Sequence, residues 1–336
     1  MRITILFGGT NKERLVSVAS AQALHSALPE ADLWFWAADD TVHETKSEVL
    51  LTHSRPFEDP FNPGTPSLPG PSLGGISRAL DRAQAEDRLL VLGLHGGMAE
   101  NGELQAMCEM RGVPFTGSGS ASSHLAFDKV AAKRFAAIAG VNAPGSVALE
   151  NIEAALAEHG KLIAKPAKDG SSYGLIFVNS SQDIVAVRNA ARTEEYLIEP
   201  FIAGVEATCG VLEKLDGSVV SLPPIEIVPA EGGFGFDYRA KYLAKATQEI
   251  CPGRFTPEIS AQIMEEALKA HHALSCRGYS RTDFIISRTG PIYLETNTLP
   301  GLTKASLYPK ALKAEGIEFV DFLQDQIALA SRRVHS

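Results

Sequence analysis

The sequence has few cysteines, no long apolar run and no excess of positive charge. Its four cysteines, Cys108, Cys209, Cys251 and Cys276, form no C-x-x-C pair. Only Cys276 has histidines close by, His271 and His272, and no second ligand pair accompanies them. A disulfide framework and a zinc ribbon are therefore not expected, and the thiols read as reduced core side chains of a cytoplasmic protein. The N-terminus is apolar only over 3–7 before it meets Gly8-Gly9 and the charged Lys12-Glu13-Arg14, too short a run for a secretory h-region. The longest uncharged stretches, such as 61–77, are rich in Pro, Gly and Ser, which excludes a membrane span. Lys and Arg number 31 against 40 Asp and Glu, a net charge of −9, which argues against a nucleic-acid scaffold. No repeat period is present, and there is no Walker G-x-x-x-x-G-K-[ST], no H-E-x-x-H and no dinucleotide G-x-G-x-x-G after the first strand.

What is present is a chain of 336 residues, 45% hydrophobic, long enough for two or three domains at ~100–200 residues each. Residues 2–7 read as a buried strand. Residues 12–28 carry apolar positions at helical spacing and stop at Pro29, and 31–37 read as a second strand. From Arg55 to Gly75 six prolines and several glycines mark an irregular surface segment expected to carry no chemistry. A helix over 76–85 and an apolar strand from Arg88 to Leu94 follow. That strand ends in His95-Gly96-Gly97, where an open α/β sheet presents its ligands. This alternation makes 1–118 an α/β region. Beyond it, a helix at 128–139, strands at 162–166, 173–178, 196–202 and 205–213, and a helix near 181–193 suggest an α+β lid. The last third reads as a glycine-rich loop (231–235), a long helix (256–275), strands at 279–287 and 291–297, and a closing helix (318–332).

The strongest chemical signal is acidic. Asp283 follows Arg281 in one strand, and Glu295 and Asn297 lie in the next; the two are joined by Ser287-Arg288-Thr289-Gly290. Strand alternation puts Arg281 and Asp283 on one face, and likewise Glu295 and Asn297. Two carboxylates and an amide with only Arg281 as a basic neighbour leave negative charge uncompensated. A hard cation such as Mg²⁺ takes oxygen ligands of this type and keeps phosphates as its others. The bland alternative is a solvated strand face, which the apolar flanks Phe284, Ile285, Ile286, Ile292, Tyr293 and Leu294 disfavour.

A second signal is the loop after Lys165, with Gly170-Ser171-Ser172-Tyr173-Gly174. Small residues let backbone N–H groups approach phosphate oxygens, with Lys165 and Lys129 as counter-charges; a plain hairpin turn is the alternative. The same residues spell G-x-S-x-G, the nucleophile elbow of serine hydrolases. That motif needs a helix after the serine, and 173–178 reads as a strand. A third feature, Phe234-Gly235-Phe236-Asp237-Tyr238-Arg239-Ala240-Lys241-Tyr242, could hinge a lid that excludes water, or be an ordinary surface loop.

Taken together the motifs resemble the D-alanine–D-alanine ligases of the ATP-grasp superfamily, over about residues 3–332 and most weakly at 38–75. The matching blocks include Leu6-Phe7-Gly8-Gly9-Thr10, Leu94-His95-Gly96-Gly97, Glu100-Asn101-Gly102, Pro114-Phe115-Thr116-Gly117, Asp128-Lys129, Lys165-Pro166, Asp237-Tyr238, Arg281 with Asp283, Glu295 with Asn297-Thr298, and Pro300-Gly301. The resemblance implies an ATP-grasp fold: an N-terminal open parallel α/β domain (1–118), a central lid (119–202) and a C-terminal α+β lobe (203–336), the last two clamping the nucleotide. It implies that Asp283, Glu295 and Asn297 hold two Mg²⁺ ions, with Mn²⁺ able to substitute. Lys129, Lys165, Gly170, Ser171, Ser172, Glu199 and Glu206 would bind the co-substrate ATP. Glu13 would hold the first ammonium, with His95 beside the amino-acid site. Arg281 and the Gly301 N–H would stabilise the oxyanion, and Lys241 and Ser306 would take the second carboxylate. Glu13, Ser171 and Tyr242 would form the hydrogen-bonded group near the reacting amine.

The activity implied is an ATP-dependent joining of two D-alanines through an acyl phosphate, for peptidoglycan precursors, by a cytoplasmic homodimer that binds neither nucleic acid nor membrane. Leu15, Ala99, Asn101, Tyr173 and Phe236 depart from the family pattern. They motivate one alternative, a sister ligase using another amino acid or a hydroxy acid. Tyr242 argues for an amine nucleophile, since ester-forming relatives usually lack that tyrosine. An alternative from another class is an ATP-binding module without turnover.

Overall fold

The computed structural model describes residues 1–64, 72–168, 170, 174–229 and 247–333. Three sheets organise them. In the first, β1 (Arg2–Gly8) lies between β2 (Asp32–Trp36) and β5 (Arg88–Leu94), both parallel to it. Apolar side chains on both faces of β1 and β5 are buried, as a parallel strand covered by helices requires. The helix Arg14–Ala27 packs on β1 and β5, and the chain leaves it just before Pro29. To the parallel strands of the open α/β domain that the sequence implied, two antiparallel edge strands are added, β3 (Thr41–Thr45) and β4 (Ser72–Gly75), giving the order β4-β3-β2-β1-β5. The end of the proline-rich stretch is thus an edge strand, entered only after its last proline, where the backbone can again donate to a ladder.

Gly8 ends β1 at φ +100°, and a Cβ there would stand 2.2 Å from the Trp36 carbonyl oxygen. Only glycine lets β1 turn away so close to β2. At the other end of the sheet Arg88, 2% exposed, donates to Thr4 Oγ1 (2.7 Å) and Asp32 Oδ2 (2.5 Å), pairs with Glu86 (2.6 Å) and stands over the Trp34 ring. Its two carboxylate partners keep some solvent access. Arg88→Ala is therefore expected to lower unfolding free energy by about 2 kcal/mol, below the range for a fully buried pair, read as a shift in the urea midpoint.

The second sheet is antiparallel, with β6 (Leu162–Pro166) between β7 (Ile176–Val178) and β8 (Tyr196–Pro200). Leu162 and Ala164 point to one side and pack with Ile198, Ile152 and Ala155 of the helix Ile152–His159, and Ile184 and Val187 of the helix Ser181–Ala190. Alternation turns Ile163 and Lys165 to the opposite side. The β6–β8 register sets Ile163 against Glu199, so Lys165 and Glu199 share that opposite face. β7 begins only at Ile176, later than the strand expected from 173, and is still a strand where a hydrolase elbow would need a helix.

In the third sheet β9 (Val205–Glu213) pairs with β10 (Val219–Ser221), β11 (Ile225–Val228) and β13 (Tyr279–Ser287). β12 (Gln248–Ile250) flanks β11, and β14 (Gly290–Asn297) flanks β13. Ala207, Cys209, Val211, Phe284 and Tyr293 form a core with the helix Pro257–Ala273. Thr256 caps that helix by accepting from the Ile259 N–H, and proline occupies its first turn. The opposite face of the sheet carries Thr208, Arg281 and Asp283. The closing helix Phe319–Arg333 lies beside it: Phe322 joins Tyr279 and Tyr308 in a core that also includes Ile5, Phe7, Leu33 and Phe35 of the first sheet. Cys108, Cys209 and Cys276 are buried, Cys251 is half-buried, and all four are free thiols. Among the described residues no helix is long and apolar enough to cross a membrane.

Candidate active site

The β13–β14 ladder sets Arg281 against Asn297 and Asp283 against Glu295, so four polar side chains share one face. A bulge after Asp283 lets Phe284 turn back into the core. Arg281 grips Asp283 with two parallel bonds, Nε to Oδ1 (2.9 Å) and Nη2 to Oδ2 (2.8 Å). Thr208 donates to Oδ1 (2.5 Å) and Asn297 Nδ2 to Oδ2 (3.3 Å). Glu295 meets Lys129 Nζ at 3.3 Å. The sequence suggested Arg281 as the only cation near these carboxylates. Lys129 is a second, brought in by the helix Lys129–Ile138, whose N-cap Asp128 accepts from the Val130 and Ala131 N–H groups.

One pocket gathers this face with residues from all three sheets. Glu13, His95 and Glu100 come from segments beside the first, Gly170 from the loop after β6 of the second, and Arg281, Glu295, Asn297, Gly301 and Ser306 from the third and the segment after it, with Lys129 from the helix Lys129–Ile138 that packs on β14. Phe57, in the stretch expected to be inert, lines it too. Asn11 organises the first-sheet wall: its amide donates to the His95 carbonyl (2.8 Å) and its oxygen accepts from the Glu13 N–H (2.7 Å). Gly96, at φ +67°, leaves room for Glu13, because a Cβ there would stand 2.4 Å from Glu13 Oε2. Across the pocket Ser306 precedes the helix Leu307–Ala314 and accepts from the Thr303 N–H (3.1 Å). A Cβ on Gly301 would meet Ser306 Oγ at 2.8 Å and His95 Cε1 at 3.8 Å, so these three groups stand together.

The expected nucleotide contacts Lys165 and Glu199 do not line this pocket and meet in a buried cluster with Lys133. Glu199 ion-pairs with Lys133, and its second oxygen lies 3.4 Å from Lys165 Nζ. Glu206 sits in β9 between Ile227 and Ile285 and does not line the pocket. Ser171, Ser172, Tyr173, Lys241 and Tyr242 lie outside the described residues, as does the 231–235 loop.

Burial, assisted by Arg281, pushes the His95 imidazole down to about 4, and its Nε2 is hydrogen-bonded to Ser20 Oγ (2.9 Å). His95 is therefore neutral at working pH. Unfolded histidine titrates near 6.5, so the folded state holds fewer protons below that pH. The stability this provides is complete above pH 6.5 and drains away as pH falls towards 4, a loss of about 3 kcal/mol. His271 shifts the same way and Glu100 the opposite way, so the check is a difference: the loss in urea midpoint from pH 7 to pH 4 should be smaller in His95→Asn than in wild type by that amount. Glu100 moves the other way: burial first, then Glu13, raise its carboxyl to about 7.

A family model described as "D-ala D-ala ligase N-terminus" matches residues 2–118, and one described as "D-ala D-ala ligase C-terminus" matches 146–328. The chain belongs to the D-alanine–D-alanine ligase family. Among similar proteins, the D-alanine--D-alanine ligase of Syntrophobacter fumaroxidans is 35% identical, covering 98% of this chain and 97% of its own length. That of Oleidesulfovibrio alaskensis is 37% identical over 95% of this chain and 93% of its own. The solved VanG D-Ala:D-Ser ligase of Enterococcus faecalis superimposes with a TM-score of 0.78 at 29% identity, covering 98% of this chain and 99% of that one. The ATP-grasp fold implied by the motifs is thus the fold of this ligase-family chain.

Sequence reasoning missed Glu100 as a pocket residue, although Glu100-Asn101-Gly102 stood among the matching blocks. It also missed Thr208 and Lys133. Alternation from Asp283 across to β9 could have found Thr208. The i, i+4 spacing from Lys129 could have found Lys133.

Proposed function

We propose that this ligase-family chain joins two D-alanines into D-alanyl-D-alanine at the expense of ATP, releasing ADP and phosphate, through an acyl phosphate of the first D-alanine. The observation that carries this is the convergence of Arg281, Glu295, Asn297 and Lys129 with Glu13 and His95 around one pocket, with Asp283 held by Arg281 beside it. The curated relatives named above are all called D-alanine--D-alanine ligases, which favours two D-alanines over the sister-ligase alternative. The reading extends to a cytoplasmic homodimer serving peptidoglycan precursor synthesis, with 1–118, 119–202 and 203–336 as its working units.

A carboxylate and an amine do not condense in water, so the first carboxylate must be activated. Moving a phosphoryl group onto it brings anion towards anion. Lys129, Lys165 and Arg281 offset that repulsion, more strongly as the site closes and dries. Glu13 holds the ammonium of the first D-alanine. Arg281 and the Gly301 N–H face the oxyanion formed when the second amine attacks, and Ser306 and Lys241 take the second carboxylate. Glu13, Ser171 and Tyr242 relay the proton that the amine must shed.

Asp283, Glu295 and Asn297 fit a pair of Mg²⁺ ions. They offer two carboxylates and an amide on one face, with no sulfur or imidazole donor among them. Bound there, Mg²⁺ would neutralise the charge of the triphosphate. Purified protein given ATP, Mg²⁺ and D-alanine should release phosphate and form the dipeptide, detected by mass spectrometry. Phosphate release only with another amino-acid or hydroxy-acid pair would overturn the reading.

A further inference from the structure

The helix Lys129–Ile138 carries two lysines one turn apart, and they reach different sheets. Lys129 meets Glu295 of β14, at the carboxylate face. Lys133 meets Glu199 of β8, in the buried cluster with Lys165. Lys133 is 6% exposed and Glu199 2%. The carboxylate of Glu199 lies between two ammonium groups: Oε1 is held by Lys133, and Oε2 lies 3.4 Å from Lys165. Two lysines against one carboxylate leave a surplus positive charge. A surplus cation at this depth is costly unless an anion from outside completes it.

We propose that Lys133 is a positioning residue for the nucleotide. By occupying one oxygen of Glu199 it fixes that carboxylate and stops Lys165 from closing onto both oxygens, so Lys165 keeps its charge turned towards a bound phosphate-bearing ligand. This rests on the ATP-dependent reading above. Without Lys133, Lys165 is, among the described residues, the ammonium left for Glu199; the surplus charge disappears, and nucleotide binding weakens while the amino-acid seat at Glu13 and His95 is untouched. Burial and the neighbouring Lys165 push the Lys133 ammonium down to about 7 against the pull of Glu199 and Glu295, as expected of a crowded cationic pair.

The test compares wild type, Lys133→Met, Lys133→Arg and Glu199→Gln. ADP and ATP affinities are read by calorimetry, which needs no turnover, and KM for ATP and for D-alanine by steady-state kinetics. Lys133→Met should weaken ADP and raise the ATP KM about tenfold or more, with the D-alanine KM within about twofold of wild type. Lys133→Arg should recover most of the loss. Adding Glu199→Gln to Lys133→Met should restore most of the nucleotide affinity, because the carboxylate that would capture Lys165 is then a neutral amide, a non-additivity that marks one shared contact. Unchanged nucleotide affinity, or an equal rise in both KM values, would overturn the proposal. Should Lys133→Met not fold, Lys133→Arg and the combined Lys133→Met, Glu199→Gln variant decide it: an ADP affinity lost tenfold in either is equally fatal. Failure of the ligase reading would look different, as nucleotide binding without dipeptide.

Discussion

Asp283→Ala or Glu295→Ala is expected to reduce D-alanine-dependent ADP release by at least about a thousandfold while the fold survives. The two carboxylates face each other across the β13–β14 ladder, and neither supports a core: Phe284 and Tyr293, on the other side of the sheet, do that. Losing Asp283 strips Arg281 of a two-pronged partner and Thr208 of its acceptor. With both side chains of that pair retaining a little solvent access, the stability loss should stay near 2 kcal/mol. Asp283→Asn keeps the shape but sets an amide donor against donors that Asp283 now accepts from, so it should lose a comparable share of stability and be equally inactive. A coupled assay for ADP, with urea midpoints on the same samples, separates the two effects. Full turnover in either alanine variant would contradict the assignment of these residues to the phosphate site.

Arg281→Lys should lower kcat by about a hundredfold to a thousandfold with little change in the ATP KM. A guanidinium can grip both oxygens of Asp283 and still present N–H groups to the pocket, whereas an ammonium is a single point charge on a flexible stem. The damage should therefore fall on the step in which an oxyanion forms. This is the opposite pattern to that expected of Lys133, whose loss should appear in nucleotide affinity. A parallel rise in the ATP KM of Arg281→Lys would place the arginine with the nucleotide instead.

Much of this architecture was legible because its strands alternate. β6, β9 and β13 run over the residues that the sequence alone suggested, and the facing of Arg281, Asp283, Glu295 and Asn297 follows from a period of two. The edge strands were hidden for a physical reason. Thr41–Thr45 holds His43 and Glu44, and β4 is a four-residue piece with two glycines, so neither shows the apolar signal of a central strand. The site was legible where it follows from local spacing and obscure where it depends on distant segments meeting. Lys133 and Glu199 are 66 positions apart, and nothing in either neighbourhood announces the pair. Phe57 enters the pocket from a stretch whose prolines give no periodic signal at all.

The distribution of cores constrains how such a cleft can breathe. A single apolar mass runs from Phe7 and Phe35 through Tyr279 and Tyr308 to Phe322, binding the first sheet to the third. The second sheet has its own, around Ile152, Leu162 and Ile198. A motion that admits ATP without tearing either mass apart must swing the smaller body against the larger. Glu13 and His95, beside the core that joins the first sheet to the third, would keep their spacing to Arg281 and Gly301 through such a swing.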